Sequence, residues 1–388
     1  MKKLLAVALI LILGVSVAGW AASKVGIVLD VGGRGDLAFN DMGFKGTDQA
    51  AKDFGLQMTE VQSATGADYL PNIRNLARTG QYDLILCVGF LLGDALNQAA
   101  QEFPNQKFAI IDSVVSQPNV MSIVFRENEQ SALIGALAAM SAAQHGYTAA
   151  GVVLGIEIPV LWHFEAGFRY GMYWGLQAYA AHTGTMPNVK LLYTYTGTFS
   201  DIALGKAASE AMLAQGAVGV YNVAGPLGVG DLEAVTEAHT AARTTSGAPY
   251  YYGVDADQDW MGMGLYSIAS GMKRVDNACY MAVQSVVNGT FKAGTISLGL
   301  KEGGVALSNA TALLDFIQFG IGAGQLTAAQ APQVIYNWEV ERATVADWIW
   351  NAVDQLQAGI LDGTIFVPTA DTGDQIAAVR GTYTLGAP

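Results

Sequence analysis

The chain is poor in the residues that catalytic and metal centres most often use. Its 388 residues include two cysteines and four histidines, and the histidines, at positions 145, 163, 182 and 239, have none of the short spacings of a metal site. The G-x-S-x-G and H-E-x-x-H motifs of hydrolases are absent from the sequence. The sequence therefore predicts a protein that is not an enzyme and that uses neither a cofactor nor a metal.

Charge is also scarce and mostly of one sign. Charged residues make up 14% of the chain, with 33 acids against 20 bases and a formal net charge of −13. A surface of that sign repels nucleic acid and anionic lipid headgroups. The loop "GGRG" lacks the G-x-G-x-x-G spacing, and no G-x-x-x-x-G-K-[ST] occurs, so a nucleotide phosphate loop is excluded as well.

One apolar stretch at the start of the chain differs from the rest. "MKK" precedes "LLAVALILILGVSVAG", and small residues follow, which predicts a signal peptide over residues 1–21 that is cut near Ala21. An uncleaved anchor is the alternative. No cysteine stands at the cleavage point. We therefore expect a periplasmic or other extracytoplasmic protein, secreted through its signal peptide and not lipidated.

The two cysteines allow two interpretations. Cys87 lies in the apolar run "LILCVGF" and Cys279 lies in a helical pattern. Export from the cytoplasm permits a disulfide between them. The apolar surroundings favour two buried, unpaired thiols.

Beyond the leader, short apolar β-branched runs alternate with longer helical patterns. The runs are continuously apolar, as in "KVGIVLD" and "YYYGVDAD", which is typical of parallel strands covered on both faces. The alternation runs twice, with a break near residues 144–148. The sequence predicts two doubly wound α/β lobes joined by several crossing segments, one from residues 22–146 plus about 257–298 and one from residues 147–256 plus about 299–388.

Acids recur at the carboxyl ends of the predicted strands. Asp30 follows "VGIVL", Asp112 follows "FAII" and Asp255 follows "YYYGV". Ligands of open α/β sheets bind at these strand ends, although an aspartate there can also cap the next helix. An ionised carboxylate only accepts hydrogen bonds. A cleft that holds these acids should favour hydroxyls, N–H groups or cations over phosphates.

The loop "GGRGDLAFND" contains an aromatic residue where a packing side chain is less expected. Phe39 could stack on a flat ligand or plug the loop onto its own lobe. The following helix is expected over Gly43–Phe54, and a later helix is expected over Lys273–Val287. The tripeptide "RGD" also matches a cell-adhesion signal, but so short a match arises by chance.

Several segments together resemble one family. "GDLAFND", "FRENEQSALIGALAA", "FEAGFRYG", "GTFSDIALGKAASEAML", "VAGPLGVG", "GVDADQ" and "GMKRVDNA" occur in the order found in the basic membrane protein family, the purine-nucleoside-receptor-like substrate-binding proteins of ABC importers. The resemblance covers residues 25 to 300. It implies the type I periplasmic-binding-protein fold, a monomer that closes on a nucleoside, and the transmembrane subunits of an ABC permease as partners.

The resemblance also implies roles for individual residues. Phe39 and a second aromatic residue, Phe199, would sandwich the base, with Trp162 or Phe164 as alternatives to Phe199. The remaining ligand-binding residues would be Asn40 and Asp112 at the base edge with Asp30 nearby, Asp255 and Lys273 at the ribose, and Gly225 where backbone approaches the ligand.

The sequence departs from the family pattern in three ways. Ala38 replaces the serine of the family's D-x-S-F-N, the lipidated cysteine usual in the family is absent, and the aromatic segment "LTAAQAPQVIYNWEVERATVADWIWN" is an insertion. The first departure leaves the exact ligand open. A flavin, another flat aromatic solute or a role as a ligand sensor are alternatives within the same fold. A nucleoside hydrolase using the strand-end aspartates is the enzymatic alternative.

Overall fold

The computed structural model describes residues 23–385, so the predicted signal peptide lies outside the described residues. Strands and helices alternate along most of this range, as the sequence predicts. The strands are β1 (Lys24–Leu29), β2 (Gln57–Gln62), β3 (Leu84–Val88), β4 (Phe108–Ile111), β5 (Val120–Phe125), β6 (Ala149–Leu154), β7 (Lys190–Tyr195), β8 (Ala217–Val223), β9 (Tyr250–Asp255), β10 (Ser267–Lys273), β11 (Gly294–Leu298) and β12 (Val305–Leu307).

The helices flank these strands and then continue beyond them. Short 3₁₀ turns precede some helices, for example at residues 90–92 and 225–227. The α-helices are α1 (Phe39–Phe54), α2 (Tyr69–Arg78), α3 (Gly93–Glu102), α4 (Glu127–His145), α5 (Pro159–Thr183), α6 (Ile202–Ala214), α7 (Gly228–Ala242), α8 (Val275–Val287), α9 (Ala310–Gly322), α10 (Ala331–Arg342), α11 (Asp347–Asp362) and α12 (Gly373–Thr382). No helix in residues 23–385 combines the length and the apolar character that a bilayer crossing requires.

The strands form two six-stranded sheets, which confirms the predicted two-lobed α/β fold. The first sheet has the order β11-β5-β4-β3-β1-β2, with every neighbouring pair parallel. The second has the order β12-β10-β9-β8-β6-β7 and is parallel except that the short β12 runs antiparallel to β10. The central strands are buried along their whole length because helices cover both faces.

The chain crosses between the two lobes three times. The crossings are Arg126 between β5 and α4, Arg274 between β10 and α8, and residues 299–304 between β11 and β12. The backbone N–H of Arg126 donates to Leu298 (2.9 Å), and that of Arg274 donates to Gly304 (2.8 Å). These bonds tie the first and second crossings to the third.

The crossings lie at different residues from the predicted lobe boundaries. The prediction assigns α4 and β10 to the first lobe, whereas α4 packs in the core of the second lobe and β10 is a strand of the second sheet. The sequence break at residues 144–148 marks the end of α4. The chain leaves the first sheet before that helix, because the apolar faces of α4 are buried against β6, β8 and α5.

Two predicted helix starts also shift, and both shifts change the setting of a candidate residue. Helix α1 begins at Phe39 and not at Gly43, so Phe39 lies on the first turn of a helix and not in a loop. The helix predicted to begin at Lys273 begins at Val275, and Lys273 is the last residue of β10. Phe39 is therefore the first residue of a helix, and Lys273 is the last residue of a strand.

The insertion and the tail form three packed helices. Trp338 of α10 donates its indole N–H to buried Asp259 (2.9 Å), and Arg380 of α12 donates to Glu165 of α5 through Nε (2.8 Å) and Nη2 (2.6 Å). The cysteines are separate buried thiols, Cys87 in β3 and Cys279 in α8. The preferred interpretation of unpaired thiols is confirmed.

Candidate functional site

One cavity lies where the carboxyl ends of the strands of the two sheets meet. It encloses about 640 Å³ including its open mouth, within the range of ligand sites. All eight candidate residues line it, although they come from seven separate places in the sequence. They are Asp30, Phe39, Asn40, Asp112, Phe199, Gly225, Asp255 and Lys273.

Two of the strand-end aspartates have an unusual backbone. Asp112 has φ of 68° and Asp255 has φ of 62°, in the left-handed region that side chains other than glycine rarely adopt. Strained conformations of this kind cost about 1–3 kcal/mol each and cluster at ligand sites. In both places the left-handed turn redirects the chain at the end of a strand, and the carboxylate lines the cavity.

Lys273 is the positive centre of the cavity. It is 2% exposed, and its Nζ lies 2.6 Å from Oδ2 of Asp112, 3.6 Å from Oε1 of Glu127 and 3.9 Å from Oδ1 of Asp255. Burial by itself lowers the pKa of this ammonium. The charges of Asp112, Asp255 and Glu127 outweigh burial and raise the pKa well above its usual range, so Lys273 is a permanent cation.

Two of the acids beside Lys273 have raised pKa values. Burial, opposed by the charge of Lys273, raises the pKa of Asp112 to about 6 and that of Asp255 to about 7. Oδ1 of each aspartate is buried and has no hydrogen-bond partner among residues 23–385. A buried acceptor without a partner costs about 1–3 kcal/mol, so a ligand that donates hydrogen bonds here is bound preferentially.

Asp30 is fixed by its neighbours. Its carboxylate accepts a hydrogen bond from the hydroxyl of Tyr69 and one from the backbone N–H of Val31 (2.6 Å). Gly89, with φ of 132°, leaves space for it, because a Cβ at that position would lie 2.3 Å from Oδ2 of Asp30. Burial raises the pKa of Asp30.

Asn40 presents a defined orientation of its amide. Its Oδ1 accepts from the backbone N–H of Asp30 (3.1 Å), and its Nδ2 donates to Oδ2 of Asp36 (3.1 Å). One N–H of the amide is left for a ligand. Asp36 is 3% exposed and also accepts the backbone N–H groups of Ala38 and Asn40, so the "RGD" tripeptide is not displayed as an adhesion signal.

Aromatic rings reach the cavity from both lobes. Phe39 comes from the first lobe, with Nζ of Lys273 4.7 Å from its ring centroid, and Phe199 comes from the loop after β7. Gly155 sets the position of Phe199, because a Cβ there would lie 2.2 Å from the ring. Of the two alternatives, Phe164 lines the cavity.

The other alternative lies elsewhere. Trp162 packs with residues of α12, and its indole N–H donates to Glu157 (3.1 Å). It is not among the residues that line the cavity.

Gly225 is the first residue of the short 3₁₀ turn between β8 and α7. It has φ of 55°, and no atom among the described residues lies within 4 Å of where its Cβ would be. A ligand can therefore approach this backbone closely.

Four residues of the site and its surroundings are not among those predicted from the sequence. Phe90 and Asp36 line the cavity, Tyr69 holds Asp30, and Glu127 faces Lys273. The position after a strand end was a usable sign for two of them. Phe90 follows β3 by two residues, and Glu127 follows β5 by two residues.

The cavity is electrostatically suited to a donor-rich, uncharged ligand. Its lining includes four carboxyl groups and one ammonium, together with apolar and aromatic side chains. A phosphate group on the ligand would be repelled by the excess of negative charge in this lining. Rings on both lobes and acceptors near the hinge suit a flat group attached to a polyhydroxylated group.

Comparison with known proteins identifies the family. A family model described as Bmp, ABC transporter substrate-binding protein PnrA-like, matches residues 23–319, which is most of the chain. The chain belongs to this family. Family membership makes it a substrate-binding protein of an ABC transporter and not an enzyme, with a small-molecule ligand and permease subunits as partners.

Individual relatives agree with the Bmp assignment. A lipoprotein of Pyrococcus horikoshii is 38% identical over 91% of this chain and 85% of its own length. The ABC transporter nucleoside-binding protein BmpA of Lactococcus lactis is 31% identical over 74% of this chain and 82% of its own length. A crystal structure of a solute-binding protein of an ABC transporter system from Aeropyrum pernix is 36% identical, covers 94% of this chain and all of that chain, and superposes with a TM-score of 0.81.

One prediction is corrected by these relatives. The Pyrococcus horikoshii protein and its counterparts in Pyrococcus abyssi and Pyrococcus furiosus, 37–38% identical to this chain, are named lipoproteins, which contradicts the prediction that this Bmp protein is not lipidated. The prediction rested on one missing residue, a cysteine at the predicted cleavage point. That absence concerns residues outside the described range, and it does not by itself decide how a family member is attached to a membrane.

Proposed function

We propose that this Bmp protein binds a purine nucleoside in the cavity between its lobes and delivers it, outside the cytoplasm, to an ABC permease for import. The observation that carries the proposal is the combination of aromatic rings from both lobes with two buried, unpartnered carboxylate oxygens beside a permanent ammonium. The nucleoside-binding name of the Lactococcus lactis relative agrees with it.

Each candidate residue has a role in this proposal. Phe39 and Phe199 would stack on the two faces of the base, and base–aromatic stacking contributes about 1–3 kcal/mol per base. Asn40 and Asp112 would contact the edge of the base, close to Asp30. Asp112 is also within hydrogen-bonding distance of Lys273, so this group joins the base site to the sugar site.

The ribose would occupy the hinge side of the cavity. Oδ1 of Asp255 would accept from a ribose hydroxyl, and the ammonium of Lys273 would donate to a hydroxyl oxygen. Hydrogen bonds to charged groups contribute about 1.5–3 kcal/mol each, so a ligand that lacks these hydroxyls should bind far more weakly. Gly225 would allow the backbone of the second lobe to approach the sugar.

A thermal-shift screen of the protein tests the proposal. Inosine, guanosine and adenosine should raise the melting temperature, since a ligand at 100 times its Kd stabilises the folded state by about 2.7 kcal/mol. The free bases and the 2′-deoxynucleosides should do less, and the 5′-monophosphates should have no effect. Stabilisation by riboflavin or an aromatic acid, without any by nucleosides, would reject the nucleoside and keep the cavity as the site.

A further inference from the structure

His163 connects the cavity to the C-terminal segment of the chain. It lies on α5, one residue before Phe164, and is half-buried. Its Nδ1 is 2.9 Å from Oε2 of Glu127, and its Nε2 is 3.0 Å from Oδ1 of Asp371. Asp371 precedes α12 and is exposed, whereas the side chain of Glu127 is 2% exposed.

The second oxygen of Glu127 continues this connection. Oε1 of Glu127 lies 3.6 Å from Nζ of Lys273, which in turn lies 2.6 Å from Oδ2 of Asp112. An unbroken row of charged groups therefore runs from the surface at Asp371 to the cavity. We propose that His163 is a positioning residue of the ligand site: by holding Glu127 it sets the place of the Lys273 ammonium. This inference rests on the nucleoside-binding function proposed above.

Close helix packing makes the row rigid. Gly167 and Gly171 of α5 lie against the backbone of α4, where a Cβ would be 2.2 Å from the carbonyl oxygen of Asn128 and 2.0 Å from that of Ala132, respectively. The backbones of α4 and α5 are therefore in direct contact at these two glycines, which fixes the spacing between the helix that carries His163 and the helix that begins with Glu127.

His163 acts on the position of the Lys273 ammonium through Glu127, one of the carboxylates that compete for it. Three carboxylates lie within 4.0 Å of Nζ of Lys273, those of Asp112, Asp255 and Glu127. A positive His163 neutralises Glu127 from the other side, so the ammonium stays with Asp112 and the cavity. When His163 is neutral, buried Glu127 attracts Lys273 more strongly and draws it away from the ligand.

The protonation of His163 follows from the groups that face it. Burial alone lowers the pKa of the imidazole, but hydrogen bonds and charge from Glu127 and Asp371 outweigh burial and raise the pKa to about 9. The charge of His163 also acts on Asp112, whose pKa it lowers. Three other charged groups lie near His163. Lys273 faces the same Glu127. Arg126 and Glu129 line a groove to which His163 and Asp371 also contribute.

Calorimetric titration between pH 6 and pH 10 with adenosine, a nucleoside that does not itself ionise in this range, tests the proposal. In the wild-type protein the affinity should fall by about five- to tenfold as pH rises through the pKa of His163, a change of about 1–1.4 kcal/mol. Asp371→Asn removes one cause of the raised pKa, so the fall should begin at lower pH. His163→Gln should bind weakly at every pH and show no such fall.

Asp374→Asn, another exposed acid at the start of α12, is the matched control and should reproduce the wild-type profile. The proposal would be overturned if the fall in affinity occurred at the same pH in Asp371→Asn as in the wild-type protein. It would also be overturned if the fall remained in His163→Gln.

An experiment without ligand separates this proposal from the nucleoside function. NMR can follow the imidazole of His163 and the carboxyl carbon of Asp112 through the same pH range, with assignments from His163→Gln and Asp112→Asn. The Asp112 signal should shift with the titration of His163, and both should move together in Asp371→Asn. If the Asp112 signal does not change as His163 titrates, His163 does not position Lys273. If the signals are coupled while no nucleoside binds, the positioning row stands and the nucleoside function fails.

Discussion

At the scale of single residues, the cavity holds charged groups where burial costs stability and where a bound ligand could offset that cost. Asp255 is 6% exposed, has a left-handed backbone, and keeps one carboxylate oxygen without a hydrogen-bond partner among the described residues. The folded chain tolerates these costs together at one residue. They are explained if a ligand donates a hydrogen bond to this oxygen.

The first prediction concerns ligand affinity. Asp255→Asn keeps the shape of the side chain but removes its charge, so a ribose hydroxyl would lose a charge-assisted hydrogen bond worth about 2 kcal/mol, or about thirtyfold in affinity. Isothermal calorimetry with inosine measures this loss. Asp83→Asn, at an exposed acid before β3, is the control. Equal affinity in the two variants would remove Asp255 from the binding site.

The same substitution should have the opposite effect on stability. Burial, together with the charges of Asp112, Asp36 and Glu127, raises the pKa of Asp255 from 3.8 to about 7, against the lowering effect of Lys273. The folded state therefore binds more protons than the unfolded chain between these two values, and this group makes the protein less stable as pH rises through that window.

Asp255→Asn removes that pH-dependent loss. The variant should melt at a higher temperature than wild type at pH 8, with a difference that shrinks toward pH 4. Thermal melts at pH 4, 6 and 8 without ligand measure it. A variant that melts lower than wild type at pH 8 would show that the ion pair with Lys273 outweighs the burial of the charge.

At the scale of elements, glycines at the strand ends decide which side chains reach the cavity. Gly155 follows β6, and only a residue without a Cβ leaves space for the ring of Phe199. The site therefore depends on the turn as much as on the aromatic residue itself. The same holds for Gly89 and the carboxylate of Asp30.

The aromatic assignment can be tested through that glycine. Gly155→Ala should displace Phe199 and weaken inosine binding by about 1–3 kcal/mol, the size of one stacking contact. Gly322→Ala, at the end of α9 with no atom within 4 Å of its Cβ, is the control. The double variant with Phe199→Ala should lose little more than either single variant. If Phe199→Ala leaves the affinity unchanged while Phe164→Ala lowers it, Phe164 and not Phe199 supplies the second ring.

Helix α12 is expected to stabilise the second lobe. Arg380 binds Glu165, whose side chain is 0% exposed, and Arg169 and Tyr195 bind the same carboxylate. Arg380→Ala should lower the free energy of unfolding by about 2–3 kcal/mol, because a buried charge loses two of its hydrogen bonds. Urea denaturation measures this. Arg78→Ala, at an exposed arginine that ends α2, should change it by less than about 0.5 kcal/mol.

At the scale of the whole molecule, the cavity lies between two lobes that are joined by three short crossings. Lys273 and Glu127 lie next to two of these crossings, so the charged centre of the site is also close to the hinge. We therefore expect a ligand that contacts both lobes to favour a closed arrangement of the lobes, because only that arrangement offers all contacts at once.

Small-angle X-ray scattering should detect this closure. Saturating inosine should reduce the radius of gyration of the wild-type protein without changing its mass, as expected for closure without a change of oligomeric state. The Asp255→Asn variant should show the reduction only at higher inosine concentration. An unchanged radius at saturation, verified by calorimetry on the same sample, would contradict hinge closure on binding.

Much of the fold and of the candidate site follows from local sequence. The apolar runs and helical patterns predict strands and helices close to their observed bounds, and the aspartates after β1 and β4 and at the end of β9 predict which edge of the sheets holds the site. The predicted start of α1 lies four residues too late, because the backbone N–H groups of its first turn donate to Asp36, a contact that apolar periodicity does not show.

The sequence by itself determined what each segment can be: strand or helix, acid or aromatic, motif or insertion. It did so because hydrogen-bonded backbone and apolar periodicity act over a few neighbouring residues. The tertiary structure alone decided which lobe takes α4 and β10, that three carboxylates share one ammonium, and that His163 joins Asp371 to Glu127. Those outcomes depend on contacts between residues up to 208 positions apart, and no local pattern encodes such distances.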